Sequence, residues 1–206
     1  MNRVINPERL RRDVFVMGAS AGGVTVLREL FARLPSDMDA AIAVVLHRSP
    51  VMESALPSVL GSRSSLPVQD AVDGMPLRHG WIHLAPRDQH LRIEGKTLRL
   101  SRGPKEQHTR PAIDPLFRSA AASGGARVVG VLLSGTGDDG VSGLISITAA
   151  GGISLVQDPL EATFPQMPRS ALLNDRVQAA LPIADMADVL TQLARGESVA
   201  MTVPAS

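Results

Sequence analysis

Short apolar runs alternate with amphipathic stretches along most of this chain. Residues 13–17, 41–46, 128–133 and 153–157 are runs of Val, Ile, Leu, Ala, Phe and Met with few polar interruptions. Runs of that length and kind predict strands buried on both faces. Between them, apolar residues recur at helical spacing. The run from Val24 to Leu34 is stopped by Pro35. Residues 114–123 open on Asp114 and end at Gly124-Gly125, and 141–150 end at Gly151-Gly152. Residues 168–174 and the amphipathic stretch 185–195 complete the predicted helices, with a weaker one over 51–61 that contains Pro57. Alternating strands and helices predict an α/β fold with a mostly parallel sheet, flanking helices and right-handed crossovers.

Residues 66–103 break the alternation. Val68, 81–85, 90–93 and 97–100 read as short strands, with Pro86, Asp88, Glu94-Gly95-Lys96 and Gly103 marking turns. That pattern predicts a hairpin-rich, antiparallel portion. Residues 1–12 read as a polar lead-in, 13–195 as one domain and 196–206 as a tail, with no internal repeat.

Composition narrows what such a fold can do. At 206 residues the chain is long enough for a full core, and 44% apolar against 20% charged residues is globular in kind. Only 2% of residues are aromatic, so stacking platforms for single-stranded nucleic acid are nearly absent. A net charge of +1 supplies no global field for nucleic acid or anionic membrane. The absence of cysteine excludes disulfides, thiol nucleophiles and thiolate metal sites, and fits a cytoplasmic setting. No stretch approaches the roughly 20 apolar residues that span a bilayer, and the N-terminus is not a secretory signal. Neither a metal site nor a cofactor is expected, because the G-x-G-x-x-G pattern and paired-histidine helical spacing are both missing.

Three predicted strands end in residue types that acyl transfer uses, on the edge where parallel sheets bind ligands. The first leads into Gly18-Ala19-Ser20-Ala21-Gly22-Gly23, which fits G-x-S-x-G. Small neighbours let the backbone bend sharply and keep a nucleophilic hydroxyl exposed. A plain glycine-rich turn, or one that cradles phosphate, has the same sequence. The second strand ends at His47, a candidate general base; a surface histidine at a strand end is the simpler alternative. The third leads into Ser134-Gly-Thr-Gly-Asp-Asp139-Gly140, where either Asp138 or Asp139 is a candidate to orient an imidazole or to cap a helix.

Taken together, these motifs resemble the catalytic domain of chemotaxis protein-glutamate methylesterases, the CheB family. Further similarities lie at Leu84-Ala-Pro-Arg-Asp-Gln-His-Leu91, Arg110-Pro-Ala-Ile-Asp-Pro-Leu-Phe117 and Gln157-Asp158 through Met167-Pro168-Arg169. The resemblance covers roughly 13–195. It implies a doubly wound parallel sheet and a triad of Ser20, His47 and Asp139, and so favours Asp139 over Asp138. It also implies oxyanion donors in the backbone N–H groups of Thr136 and Ala21. The implied substrate is a methylated glutamate on a chemoreceptor helical bundle, with glutamine deamidation as a second activity of the same chemistry. The sequence departs from the family pattern at Ala21, Arg87 and Gln166. The best-known members carry an N-terminal receiver domain that these residues do not include, so constitutive action or control by chemosensory proteins in trans is the matching expectation. A receptor-binding adaptor without turnover and a phosphate- or nucleotide-binding module are the alternatives.

Overall fold

The computed structural model describes residues 2–5, 10–48, 55–174 and 177–202, with the backbone alone at 2–5 and 200–202. The strands are β1 (Asn2–Ile5), β2 (Val14–Ala19), β3 (Ala41–Leu46), β4 (Val68–Asp70), β5 (Ile82–Leu84), β6 (His90–Glu94), β7 (Thr97–Ser101), β8 (Val128–Leu132), β9 (Ile153–Gln157), β10 (Ala179–Leu181) and β11 (Val199–Thr202). The helices are α1 (Gly23–Arg33), α2 (Leu56–Gly61), α3 (Ile113–Gly124), α4 (Val141–Ala149), α5 (Gln166–Asn174) and α6 (Ile183–Ala194).

Seven strands form a parallel sheet in the order β10-β9-β8-β2-β3-β5-β4. The chain starts this sheet at β2, builds outward through β3, then returns to lay β8 on the other side of β2. That reversal is a topological switch point, and it opens a crevice beyond the carboxyl ends of β8, β2 and β3.

Both faces of the sheet are covered, which is why the central strands read as unbroken apolar runs. Side chains alternate between two cores at the period of a strand. Phe15 and Met17 of β2 and Ile42 and Val44 of β3 pack with α1, α2 and α6, through Leu27, Leu30, Leu60 and Leu190. Val14 and Val16 of β2 and Ala43 and Val45 of β3 face α3, α4 and α5, through Leu116, Phe117, Leu144 and Met167.

The expected doubly wound sheet and flanking helices are present, and differences are local. Of the short strands expected to be antiparallel, only β6 and β7 form a hairpin, across Gly95 at φ 61°. The other two, β4 and β5, join the main sheet in parallel. A three-residue strand carries no mark of its pairing direction, which is set by where its partner lies. The strand β10 was not foreseen, and neither was the antiparallel pair of β1 with β11, which places strands in segments read as lead-in and tail. The helix expected over 51–61 is seen from Leu56, and 51–54 lie outside the described residues.

Candidate active site

The three strand-end candidates meet because their strands are neighbours. In the β2–β3 register Ala19 pairs with Leu46, so Ser20 and His47 are the next residues on adjacent strands. The ladder continues one step further through the His47 N–H, which donates to the Ala19 carbonyl at 3.0 Å. On the other side of β2, the Ser20 N–H donates to the Ser134 carbonyl at 3.0 Å, tying the serine to the loop after β8.

Ser20 stands at the start of a tight turn closed by the Gly23 N–H donating to the Ser20 carbonyl at 2.9 Å. Gly22, third in that turn, has φ 75° and ψ −5°, a conformation that glycine takes without strain. A β-carbon there would also stand 2.9 Å from Ser134 Oγ and 3.2 Å from the Phe164 ring. Gly135 is required by space alone: its β-carbon would fall 2.1 Å from Met167 Sδ and 2.9 Å from Ser20 Cβ. The Met-Pro motif of α5 is thereby explained, since buried Met167 backs the loop that flanks the serine.

His47 Nδ1 lies 3.2 Å from Ser20 Oγ, and its Nε2 lies 2.8 Å from Asp139 Oδ2. A carboxylate accepts, so Nε2 carries the proton and Nδ1 presents its lone pair to the hydroxyl. Thr109 Oγ1 makes a longer contact with Nε2, at 3.5 Å. Asp139 is buried and Asp138 is exposed. Besides the imidazole, Asp139 accepts the Ile113 N–H at 2.7 Å on Oδ2 and the Asp114 N–H at 3.0 Å on Oδ1. It therefore satisfies two orphan donors of the first turn of α3 and sits at the positive end of that helix.

The other candidates lie around this cluster. Ala21 follows Ser20 in the turn, and exposed Thr136 follows Gly135. Among the described residues, neither Ala21 N–H nor Thr136 N–H donates to a protein acceptor. A cavity of about 240 Å³ opens on the cluster, lined by Ser20, Gly22, Val24, Leu46, His47 and Arg48 among others.

Several contributors went unassigned from the sequence. Ser134 Oγ donates to the Ala21 carbonyl at 2.9 Å and accepts the Phe164 N–H at 3.0 Å, clamping three loops together. Gln157 Oε1 accepts the Ser134 N–H at 3.0 Å. Asp114, also buried, accepts the Gly143 N–H of α4 at 2.7 Å. Each helix of the α3–α4 pair is thus capped by a carboxylate from the other's segment. The signal was present in the Asp114 and Gln157 motifs, but nothing in the sequence alone says which buried donors they meet.

Burial, and then the neighbouring Asp139 charge, push the Asp114 carboxyl from 3.8 up to about 6. A carboxyl whose folded value is raised contributes its full stability below the unfolded value and loses it as pH rises through the folded one. Ionising Asp114 therefore destabilises the fold between about pH 4 and pH 6. An Asp114→Asn variant keeps the acceptor for Gly143 but cannot ionise. Its thermal midpoint relative to the parent should rise across that window and level off above it, by the equivalent of at most about 3 kcal/mol. A difference that stays flat from pH 4 to pH 7 would contradict this account.

The switch-point crevice, the strand-to-helix serine turn and the hydrogen-bonded histidine and carboxylate define the class: a doubly wound α/β protein with a serine, a histidine and a carboxylate in one hydrogen-bonded line at its switch point. Comparisons with known proteins narrow it. Residues 15–190 match the sequence model of the CheB methylesterase family, and the chain belongs to that family. It is 40% identical over 190 residues to protein-glutamate methylesterase/protein-glutamine glutaminase 2 of Anaeromyxobacter dehalogenans, covering 92% of this chain and 56% of that one. It is 32% identical over 186 residues to the corresponding Symbiobacterium thermophilum enzyme, covering 90% of this chain and 51% of that one. The chain spans about half the length of the curated relatives it matches. Among solved structures, the Thermotoga maritima CheB methylesterase catalytic domain superposes with a TM-score of 0.84 at 29% identity, over 89% of this chain and 100% of that one.

No helix among the described residues is long and apolar enough to cross a membrane. No group of three or more His, Cys, Asp or Glu among them is placed to hold a metal ion.

Proposed function

We propose that this chain is a protein-glutamate methylesterase that removes γ-methyl esters from glutamates of a methylated chemoreceptor, with Ser20 as nucleophile, His47 as general base and Asp139 as the orienting acid. One observation carries this reading: the unbroken hydrogen-bonded line from Ser20 Oγ through the His47 ring to Asp139, in a chain of this family.

Asp139 holds the His47 Nε2–H, so Nδ1 is free to take the Ser20 proton as Oγ attacks the ester carbonyl. The oxyanion that forms is stabilised by the Ala21 and Thr136 N–H groups, the first at the positive end of α1. The proton on Nδ1 then passes to the departing oxygen, releasing methanol and leaving a glutamyl ester on Ser20. Water, deprotonated by His47, attacks that ester; Ser20 takes the proton back and free glutamate is released. Replacing methanol by ammonia as the leaving group turns the same steps into glutamine deamidation, the second activity of this reading. The receptor's helical bundle is the partner, in a cytoplasmic setting consistent with the absence of cysteine.

The test is methanol release from a methyl-esterified chemoreceptor incubated with the chain, measured against a no-enzyme control. Release at an enzymatic rate is the expected result. Turnover of a small ester without release from receptor would separate a general esterase from the proposed function.

A further inference from the structure

The chain has only 4 phenylalanines, and Phe15, Phe31 and Phe117 are fully buried. Phe164 is 41% exposed. It lies in the loop after β9, on the same sheet edge as Ser20. Its ring borders Gly22, which lines the cavity at the serine. Its main chain is fixed at both ends. The Phe164 N–H donates to Ser134 Oγ at 3.0 Å, and its carbonyl accepts the Gly135 N–H at 2.9 Å. A large, partly exposed apolar ring thus stands on an anchored stretch of backbone beside the nucleophile's turn. Val24, on the first turn of α1, adds a second exposed apolar side chain at the cavity mouth.

A cavity of about 240 Å³ has room for one side chain, not for a polypeptide. Whatever carries the ester must lie across the rim. The Phe164 ring, from the loop after β9, lies against Gly22 of the turn that carries Ser20, and so borders the rim the substrate must cross. We propose that Phe164 is the substrate-positioning residue of this site, its ring covered by an apolar side chain on the same substrate helix as the esterified glutamate. This rests on the methylesterase reading above. A rigid aromatic body with an exposed face suits such a contact, because ordering it on binding loses little conformational entropy.

Steady-state kinetics of Phe164→Ser and Phe164→Leu on methylated receptor and on p-nitrophenyl acetate test the assignment. Phe164→Ser should raise KM for methylated receptor about 10- to 30-fold with kcat little changed, as the exposed part of a phenylalanine warrants. Turnover of p-nitrophenyl acetate, which carries no helix to lie across the rim, and the thermal midpoint should match the parent. Phe164→Leu should recover most of the receptor KM. A receptor KM in Phe164→Ser equal to that of the parent overturns the docking role and leaves the methylesterase reading standing. A matching loss on p-nitrophenyl acetate overturns it too, because Phe164 then only props the serine turn. A parent chain that turns over p-nitrophenyl acetate but releases no methanol from receptor overturns both readings.

Discussion

Replacing Ser20 with alanine should lower methanol release from methylated receptor by about a millionfold, the scale seen when a triad nucleophile is removed. The remaining groups cannot compensate. Without Oγ, His47 has no bound hydroxyl to activate, and water is not held where Oγ stood. The fold should hardly notice. The Ser20 side chain forms one hydrogen bond at 3.2 Å, and its β-carbon, which packs against Gly135, is retained in alanine. A net hydrogen bond is worth about 1 kcal/mol, so the thermal midpoint should stay within a few degrees of the parent. Stopped methanol assays and a thermal melt on the same preparation check both halves. Retained turnover would remove Ser20 from the mechanism.

The second large effect is expected at Asp139. Its two oxygens accept three N–H groups: the His47 ring, Ile113 and Asp114. An asparagine offers one acceptor oxygen and one NH₂. With its oxygen toward His47 and Ile113, its NH₂ faces the Asp114 N–H, and a buried donor loses its partner. With the amide reversed, the NH₂ faces Nε2 and draws the proton to Nδ1, where it points at Ser20. The base then cannot accept the serine proton. Asp139→Asn should therefore cost about 10⁴-fold in kcat, with roughly 1–3 kcal/mol of stability lost to the unpaired donor. Exposed Asp138 makes none of these bonds, and Asp138→Asn should leave kcat within a few-fold of the parent. Parallel kinetics on the two variants decide between the carboxylates. A larger loss at 138 would show the acid to be misassigned.

How much of this was legible beforehand depended on what each residue needed. The central strands were legible because sheet faces covered by helices demand unbroken apolar runs, as in β2 and β3. Ser20 stood out because a sharp strand-to-helix turn needs small residues on both sides of the hydroxyl. The meeting of Ser20 with His47 was not legible. It depends on β3 pairing with β2 in a register that puts Leu46 beside Ala19, and on β8 returning to the opposite flank. The same limit applied to β4 and β5, whose direction comes from their partners. Asp138 and Asp139 are chemically alike, and the motif resemblance favoured Asp139. The structure separates them by burial, since the chain path between β8 and α4 turns one carboxylate into the α3 terminus and the other to solvent. Asp114 lay in a recognisable motif, yet its pairing with Gly143 required knowing that α3 and α4 pack together.

The reciprocal caps at the start of α3 and α4 bear on how this site survives sequence drift. Asp139 is gripped by the amides of Ile113 and Asp114, and Asp114 by the amide of Gly143. Ser20 and His47 are likewise set by the main chain of Ser134 and Ala19. Amide donors persist whatever side chain evolution places on them, proline excepted. A constellation fixed this way can keep its geometry while the side chains around it change. The side chains carry the chemistry, and the route of the backbone carries the tolerances.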